Sequence, residues 1–269
     1  MNFMNSTQLQ AVRRHFIEYA NGYIAEAGDM KHMMEMKREH CAFVARNCRE
    51  LAETSGWSDE EANTAEALGI LHDVGRFPQL EEYGTFVDAK SINHGERGWQ
   101  AIRESGLLDE VDPALRNAIL DGVRHHNARI IPESLPPAHL RWVRLIRDAD
   151  RLDIYRIVLD AIENDQLDEH PEIGLSLARE GDPCPELIEK ILQRGAPSYS
   201  DLKCFNDFVL LILSWANHMG YPATLRLMRD RNIIDRFAAH LPTEVPAVGN
   251  VLSSLRACVM DAGSEQPDA

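Results

Sequence analysis

The stretch from Ser58 to Asp73 constrains the fold more strongly than any other part of the chain. Ser58 and Glu61 fit a capping box, which predicts that a helix begins directly after Ser58. The residues that follow are mostly small and apolar, as in a helix that is buried in a protein core. His72 and Asp73 come from the last turn of this helix, and Gly75 suits a left-handed residue that would end it. We therefore expect a core helix that delivers two polar side chains to one place.

Helical periodicity extends along most of the chain, and no alternating strand pattern appears. In residues 29–53, apolar residues recur at steps of three and four, which places His40 on or near the buried side of a helix. Asp112 followed by Pro113 is typical of a helix start. The sequence thus predicts an all-α fold. The predicted helices span approximately residues 7–27, 29–53, 59–72, 94–106, 113–126, 140–163, 222–228 and 233–241, and residues 202–219 are strongly apolar.

Two stretches interrupt the helical pattern. Residues 76–93 contain Pro78 and lose the helical period, so we expect an ordered loop there. Residues 171–185 are rich in turn-forming residues and indicate a boundary. We therefore expect residues 1–170 to form a helical core that contains any functional site, and residues 171–269 to form a helical C-terminal extension packed on it.

The charge balance limits what the protein binds. The chain has 28 basic and 43 acidic residues and a formal net charge of −15, so we expect neither a nucleic-acid polymer nor an anionic membrane as a partner. A small phosphorylated molecule in a local basic pocket is compatible with this charge. No apolar run approaches the roughly 20 residues of a membrane span, no secretion signal is visible, and the five cysteines stand singly. These features predict a cytoplasmic protein with reduced thiols.

Histidines and aspartates accumulate at predicted helical positions in the first part of the chain. Imidazoles and carboxylates are costly to bury unless hydrogen bonds or a metal ion satisfy them. They are also ligands of divalent transition metals. The sequence therefore predicts a site for one or two such ions. The candidate ligands are His40, His72, Asp73, His94, His125, His126 and Asp150.

The order of these residues resembles the HD superfamily of metal-dependent phosphohydrolases. The resemblance rests on His40, on the adjacent His72-Asp73, and on Asp150 within Ala-Asp-Arg. The stretch LHDVGRFPQLEEYGTFVDAKSINHGERG, residues 71–98, is similar to a common bacterial group of HD hydrolases. The resemblance implies an all-helical HD-domain bundle in which one metal binds His40, His72, Asp73 and Asp150.

His94 and the pair His125-His126 resemble the subset of the superfamily whose site holds two metals. In that subset Asp73 would bridge the two ions, and the three histidines would bind the second ion. The chain departs from the HD-GYP phosphodiesterases, because residues 127–132 follow the histidine pair where those enzymes carry Gly-Tyr-Pro. The Gly-Tyr-Pro at residues 220–222 lies far downstream, and we interpret it as a helix-breaking turn.

The resemblance implies a hydrolase that acts on a phosphomonoester or phosphodiester of a nucleotide or small phosphorylated metabolite. A metal-activated hydroxide would be the nucleophile. His72, Asp73 and Asp150 would be the catalytic residues, with Mn or Fe, alternatively Mg, Ni or Zn, as the metal. Substrate contacts are expected from Arg76, Lys90, Arg129 and Tyr83. Two alternatives stay open, a di-iron HD-type oxygenase and a non-catalytic ligand-binding HD module, and the sequence leaves the oligomeric state undetermined.

Overall fold

The structure, a computed structural model, describes residues 2–261 as helices joined by turns and short connections. No strand occurs within these residues, so the predicted all-α fold is confirmed. The helices are α1 (Ser6–Glu26), α2 (Lys31–Thr54), α3 (Asp59–Leu71), α4 (Arg76–Tyr83), α5 (His94–Ser105), α6 (Pro113–His125), α7 (Pro137–Glu163), α8 (Pro185–Leu192), α9 (Phe205–Ser214), α10 (Pro222–Asp230), α11 (Ile233–Ala238) and α12 (Pro246–Asp261).

The chain divides into two compact units, of which the first ends at Asp150 and the second begins at Arg151. The division falls inside α7, ahead of the turn-rich residues 171–185 at which the sequence predicts a boundary. Every candidate metal ligand therefore belongs to the first unit. None of the helices within residues 2–261 has the length and apolar character needed to cross a membrane.

Helix α3 is the buried centre of the first unit. Its capping box forms as predicted: Ser58 Oγ accepts from the Glu61 N–H at 3.2 Å, and the Glu61 carboxylate accepts from the Ser58 N–H at 3.0 Å. All residues from Ala62 to Leu71 are buried, and α3 contacts α1, α2 and α6. The approach to α2 is close, because a Cβ at Gly69 would lie 2.5 Å from Cα of Ala45. This packing fixes where α3 ends.

Gly75 has a packing role that differs from the predicted one. Its φ of −67° and ψ of −17° are right-handed, so the prediction of a left-handed helix stop is wrong. A Cβ at this position would lie 2.2 Å from the carbonyl oxygen of His94 and 2.4 Å from the amide nitrogen of Gly98. Glycine is required because the first turn of α5 passes directly against this position. The contact places His94, the first residue of α5, beside the turn that follows α3.

Residues 76–93 are not a loop throughout, as the sequence predicts, but begin with the short helix α4. Pro78 does not prevent this helix because it lies in the first turn, where the backbone N–H has no helical partner. Phe77 and Leu80 anchor α4 with fully buried side chains. Gly84, with a φ of 66°, ends the helix in the left-handed conformation. The remaining residues connect α4 to α5 and include a 3₁₀ turn at Asp88–Lys90.

The second unit contains the C-terminal part of α7 and helices α8 to α12. Tyr155 of α7 is fully buried, and its hydroxyl donates a 2.9 Å hydrogen bond to the carbonyl of Ile212 in α9. The carboxylate of Asp207 at the start of α9 is fully buried and accepts from the backbone N–H of Cys184 at 2.7 Å. This bond holds the start of α8 against α9.

The C-terminal predictions are partly confirmed. The helices expected near residues 222–228 and 233–241 are present as α10 and α11. Pro222 is the first residue of α10, so the downstream Gly-Tyr-Pro marks a helix start, in agreement with its interpretation as a turn. The apolar residues 202–219 form α9 and a following 3₁₀ turn, whereas α8 and α12 were not predicted. The polar tail beyond residue 261 lies outside the described residues.

Candidate metal centre

Most of the predicted metal ligands converge at one place in the first unit. They come from the middle of α2, from the residues that follow α3 and α6, from the first position of α5, and from α7. All are buried except the α7 carboxylate, whose side chain is 22% exposed. We call these residues the ligand cluster: His40, His72, Asp73, His94, His126 and Asp150.

The first part of the ligand cluster combines two imidazoles with two carboxylates. Nε2 of His40 lies 3.2 Å from Nε2 of His72. Oδ1 of Asp150 lies 3.2 Å from Nε2 of His40 and 3.8 Å from Nε2 of His72. Oδ2 of Asp73 completes the group at 3.6 Å and 3.7 Å from the same two nitrogen atoms. Four potential ligand atoms therefore face one small volume.

The second part uses the other oxygen of the same aspartate. Nε2 of His94 lies 3.0 Å from Nε2 of His126, and Oδ1 of Asp73 lies 3.5 Å from each of these nitrogens. The two oxygens of Asp73 thus face two different pairs of imidazoles. This is the arrangement that the bridging role implied by the sequence resemblance requires.

Hydrogen bonds on the far side of the rings determine which nitrogen faces the cluster with a lone pair. Nδ1 of His72 donates to the carbonyl of Gly69 at 2.8 Å, and Nδ1 of His126 donates to the carbonyl of Val123 at 2.7 Å. A carbonyl oxygen only accepts, so each of these Nδ1 atoms carries a proton, and in the neutral form of the ring Nε2 is left with a lone pair. His94 is oriented in the same way by a carboxylate, as its Nδ1 lies 2.7 Å from Oδ2 of Asp88.

The cluster has the properties expected of a cation site. Burial lowers the pKa of His72 to about 3 and that of His94 to about 4, so both rings are neutral near pH 7. In the neutral forms of His94 and His126, the lone pairs of the two Nε2 atoms face each other at 3.0 Å, and the buried Oδ1 of Asp73 accepts no hydrogen bond within the described residues. Such groups repel one another when buried, and a divalent ion would satisfy them together. Imidazole and carboxylate donors fit a divalent transition metal.

Comparison with known proteins agrees with this geometry. Residues 38–155 match the family model of the HD domain. The chain therefore contains an HD domain. The match begins just before His40 and ends just after Asp150, so the HD domain contains the entire ligand cluster. No match was found among curated proteins or among solved structures.

The HD-domain match confirms the predicted resemblance to the HD superfamily and indicates a general function. HD domains form a superfamily of metal-dependent phosphohydrolases, and the histidine and aspartate side chains of this HD domain are compatible with metal binding. The substrate and the identity of the metal are not distinguished by this match.

His125 is not brought into the ligand cluster of the HD domain, although the resemblance implies that it binds the second metal. Its ring is partly exposed and interacts electrostatically with Asp121, Arg124 and Glu96. The reason is helical geometry: His126 still has right-handed dihedral angles, and successive side chains on such a backbone diverge by about 100°. Only His126 therefore turns toward Asp73.

Arg76, a predicted substrate-binding residue, lies at the cluster but is engaged by the HD domain itself. Its side chain is 15% exposed, and Nη1 donates to Gln79 at 2.9 Å and to Asp88 at 3.1 Å. Nε lies 3.6 Å from Oδ1 of Asp73. A substrate contact by Arg76 stays a prediction.

The other predicted substrate residues are exposed. Tyr83 ends α4, Lys90 ends the 3₁₀ turn before α5, and Arg129 follows α6. Within residues 2–261, none of these three side chains forms a hydrogen bond or ion pair with the ligand cluster. Their role in substrate binding also stays a prediction.

Two residues next to the ligand cluster were missed by the sequence analysis. Lys37 places its Nζ 2.9 Å from Oδ2 of Asp73, and its position three residues before His40 on a helix is a signal that was available in the sequence. Asp88 accepts from His94, Gln79, Arg76 and Asn127. Although burial opposes it, the hydrogen bond from His94 holds the pKa of Asp88 well below its ordinary value. Asp88 lies in a segment predicted to be a loop, and nothing in its local sequence indicates this role.

Proposed function

We propose that this protein is a metal-dependent phosphohydrolase that cleaves a phosphomonoester or phosphodiester of a nucleotide or small phosphorylated metabolite. The Asp73 carboxylate carries the proposal, because Oδ2 faces the His40–His72 pair and Oδ1 faces the His94–His126 pair. A carboxylate between two sets of imidazole donors is suited to hold two divalent ions close together.

In this proposal, the ligand cluster offers donors for each of two ions. Oδ2 of Asp73 would act with His40, His72 and Asp150 on one ion, and Oδ1 of Asp73 would act with His94 and His126 on the other. Manganese or iron suits such nitrogen and oxygen donors, and magnesium, nickel and zinc are further candidates. When bound, the ions would supply Lewis acidity to phosphoryl oxygens and lower the pKa of a water molecule.

The side chains of the cluster contribute orientation and charge. Although burial opposes it, the Lys37 ammonium holds the pKa of Asp73 well below its ordinary value, and the hydrogen bond from His40 lowers the pKa of Asp150 in the same way. Both groups are therefore carboxylates near neutral pH and can accept hydrogen bonds from an attacking water. The side chain of Asp150 is the most exposed of the ligand cluster, at 22%, so water and substrate would reach the cluster beside it.

Metal analysis and hydrolysis assays on one preparation test the proposal. Protein purified without added metal or chelator is analysed for bound metals by mass spectrometry. The same sample is assayed with p-nitrophenyl phosphate, bis(p-nitrophenyl) phosphate and a panel of nucleotides. We expect bound manganese or iron together with hydrolysis. Asp73→Asn should remove both, because it takes away the charge of the carboxylate that both sets of ligands share.

The adjacent histidines offer a matched control. His126→Asn should lower metal content and turnover, because Nε2 of His126 faces both Asp73 and His94. His125→Asn should leave the metal content at the wild-type level, because its ring lies outside the ligand cluster. Equal losses of metal in the two variants would contradict the site as described.

Two outcomes would support the alternatives instead. Bound iron with O₂ consumption and no phosphate release would identify a di-iron oxygenase. Failure to take up manganese, iron, nickel or zinc on titration would mean that the cluster does not bind these metals, and a non-catalytic ligand-binding module would then account better for the HD domain.

A further inference from the structure

Lys37 is a cation that the fold holds at the edge of the ligand cluster. It lies on α2, one turn before His40, so both side chains project from the same face of the helix. Its Nζ lies 2.9 Å from Oδ2 of Asp73, and its side chain is 23% exposed. The ring centroid of Phe86 lies 5.6 Å from Nζ and limits the space available to the ammonium. Lys37 is therefore a positioned charge rather than a free surface lysine.

The oxygen that Lys37 contacts is also one of the potential metal ligands. Oδ2 of Asp73 lies 3.6 Å from Nε2 of His40 and 3.7 Å from Nε2 of His72. A cation held by these donors would share this oxygen and neutralise part of the carboxylate charge. The attraction between Asp73 and Lys37 would then weaken. A largely buried ammonium that loses part of its counter-charge requires another anion.

The exposure of the surrounding side chains shows which of them an anion from solvent can reach. Asp150 and Lys37 have side chains that are 22% and 23% exposed, whereas those of His40, His72, Asp73, His94 and His126 are between 1% and 8% exposed. The two most exposed of these side chains are thus one carboxylate and one ammonium. Because Asp150 would repel a phosphate, the ammonium of Lys37 is the one of the two that can attract it.

Arg76, the other cation near Asp73, is less available for this role. Its Nη1 donates to Gln79, to Asp88 and to the carbonyl of Phe86. Moving this guanidinium to a substrate would break several hydrogen bonds that hold the segment between α4 and α5. Lys37, whose hydrogen bond within the described residues goes to Asp73, can move with the loss of a single bond.

We propose that Lys37 is a substrate-binding residue whose ammonium turns from Asp73 to a non-bridging phosphoryl oxygen when metal and substrate are bound. This inference rests on the proposed phosphohydrolase function and names the group that holds the phosphate. It assigns phosphate binding to α2 rather than to the arginine that follows the His72-Asp73 pair.

Phosphate binding by variants of the full-length protein tests the inference. Lys37→Met is compared with Lys31→Met, a matched control on the same helix whose lysine is 61% exposed and 4.0 Å from Glu35. Each protein is loaded with Mn²⁺, its metal content is measured, and inorganic phosphate is titrated by calorimetry. We expect both variants to retain the wild-type metal content. Lys37→Met should weaken phosphate binding roughly ten- to hundredfold, as for loss of a hydrogen bond to a charged group.

Further variants and assays separate the outcomes. Lys37→Arg, which keeps the charge, should recover most of the phosphate affinity, and Lys37→Gln replaces the methionine variant if that protein does not fold. The inference is overturned if Lys37→Met binds phosphate like the wild type, if it loses metal, or if the Mn²⁺-loaded wild type binds no phosphate. Hydrolysis is measured separately, so Lys37-dependent phosphate binding without turnover would reject the proposed hydrolase and retain Lys37 as an anion ligand.

Discussion

Replacing Gly75 by alanine sets two opposing effects against each other at a position close to the ligand cluster. The backbone of Gly75 is right-handed, with φ of −67°, so alanine adopts it without backbone strain. On conformational grounds alone the substitution should stabilise the protein by about 0.5–1 kcal/mol, because glycine loses more freedom on folding. The packing of α5 predicts the reverse.

The steric cost follows from the atoms that the new Cβ would meet. The carbonyl oxygen of His94 would lie at 2.2 Å, and the amide nitrogen and Cα of Gly98 would lie at 2.4 Å and 2.9 Å, whereas ordinary contact begins near 3.4 Å. All three are backbone atoms, so no side-chain rotation relieves the contact. Overpacking costs about 1–3 kcal/mol and sometimes more, and this case belongs at the upper end. After the conformational gain is subtracted, Gly75→Ala should destabilise the protein by about 2 kcal/mol or more.

Urea denaturation followed by tryptophan fluorescence measures this change, and metal analysis reports on the site. Since the backbone of His94 must move to admit the methyl group, bound metal should fall together with stability. Gly22→Ala is the control, because Gly22 is exposed in α1 and a Cβ there has nothing within 4 Å. That variant should be stabilised by up to about 1 kcal/mol. If Gly75→Ala proves as stable as Gly22→Ala and keeps its metal, the close contact with α5 is not real.

Three other perturbations have defined expected results. Asp88→Ala removes the acceptor for Nδ1 of His94 and should lower metal affinity by about 10–100-fold, as measured by metal titration; unchanged affinity would show that Asp88 does not orient the ring. Removing metal with a chelator should lower the melting temperature, since a ligand at 100 times its dissociation constant contributes about 2.7 kcal/mol. The melting temperature should return when Mn²⁺ is added, and a chelator-insensitive melt would argue against a bound ion. Tyr155→Phe leaves the carbonyl of Ile212 without this donor and should lower the unfolding free energy by about 1 kcal/mol, whereas metal content should not change.

The local helical signals were readable from the sequence because each is contained within a few neighbouring residues. The capping box at Ser58 and Glu61 and the proline start at Pro113 are both present in the structure. The same is true of His40, whose burial follows from the apolar period of α2. Signals of this kind depend on backbone hydrogen bonds three or four residues apart.

Predictions failed where the role of a residue depends on packing against residues that are distant in the sequence. Gly75 was predicted to end α3 in a left-handed conformation, but its backbone is right-handed. Glycine is needed at this position because the backbone of α5 leaves no room for a Cβ. The sequence alone does not distinguish the roles of His125 and His126. Only the orientation of α6 decides which of the two side chains reaches Asp73. Pro78 was interpreted as a helix breaker, although it is tolerated in the first turn of α4.

The sequence by itself determined which ligand types are available to the candidate metal centre. It supplied imidazoles and carboxylates at buried helical positions, and their order resembles that of the HD domain, whose family model matches residues 38–155. Only the tertiary structure decided which oxygen of Asp73 faces which pair of imidazoles, and that Lys37 and Asp88 stand beside them. The physical reason is the distance along the chain: His40 and His72, like His94 and His126, are 32 residues apart. Such groups meet only when helices pack, and that packing depends on contacts such as Gly69 on Ala45 and Gly75 on α5.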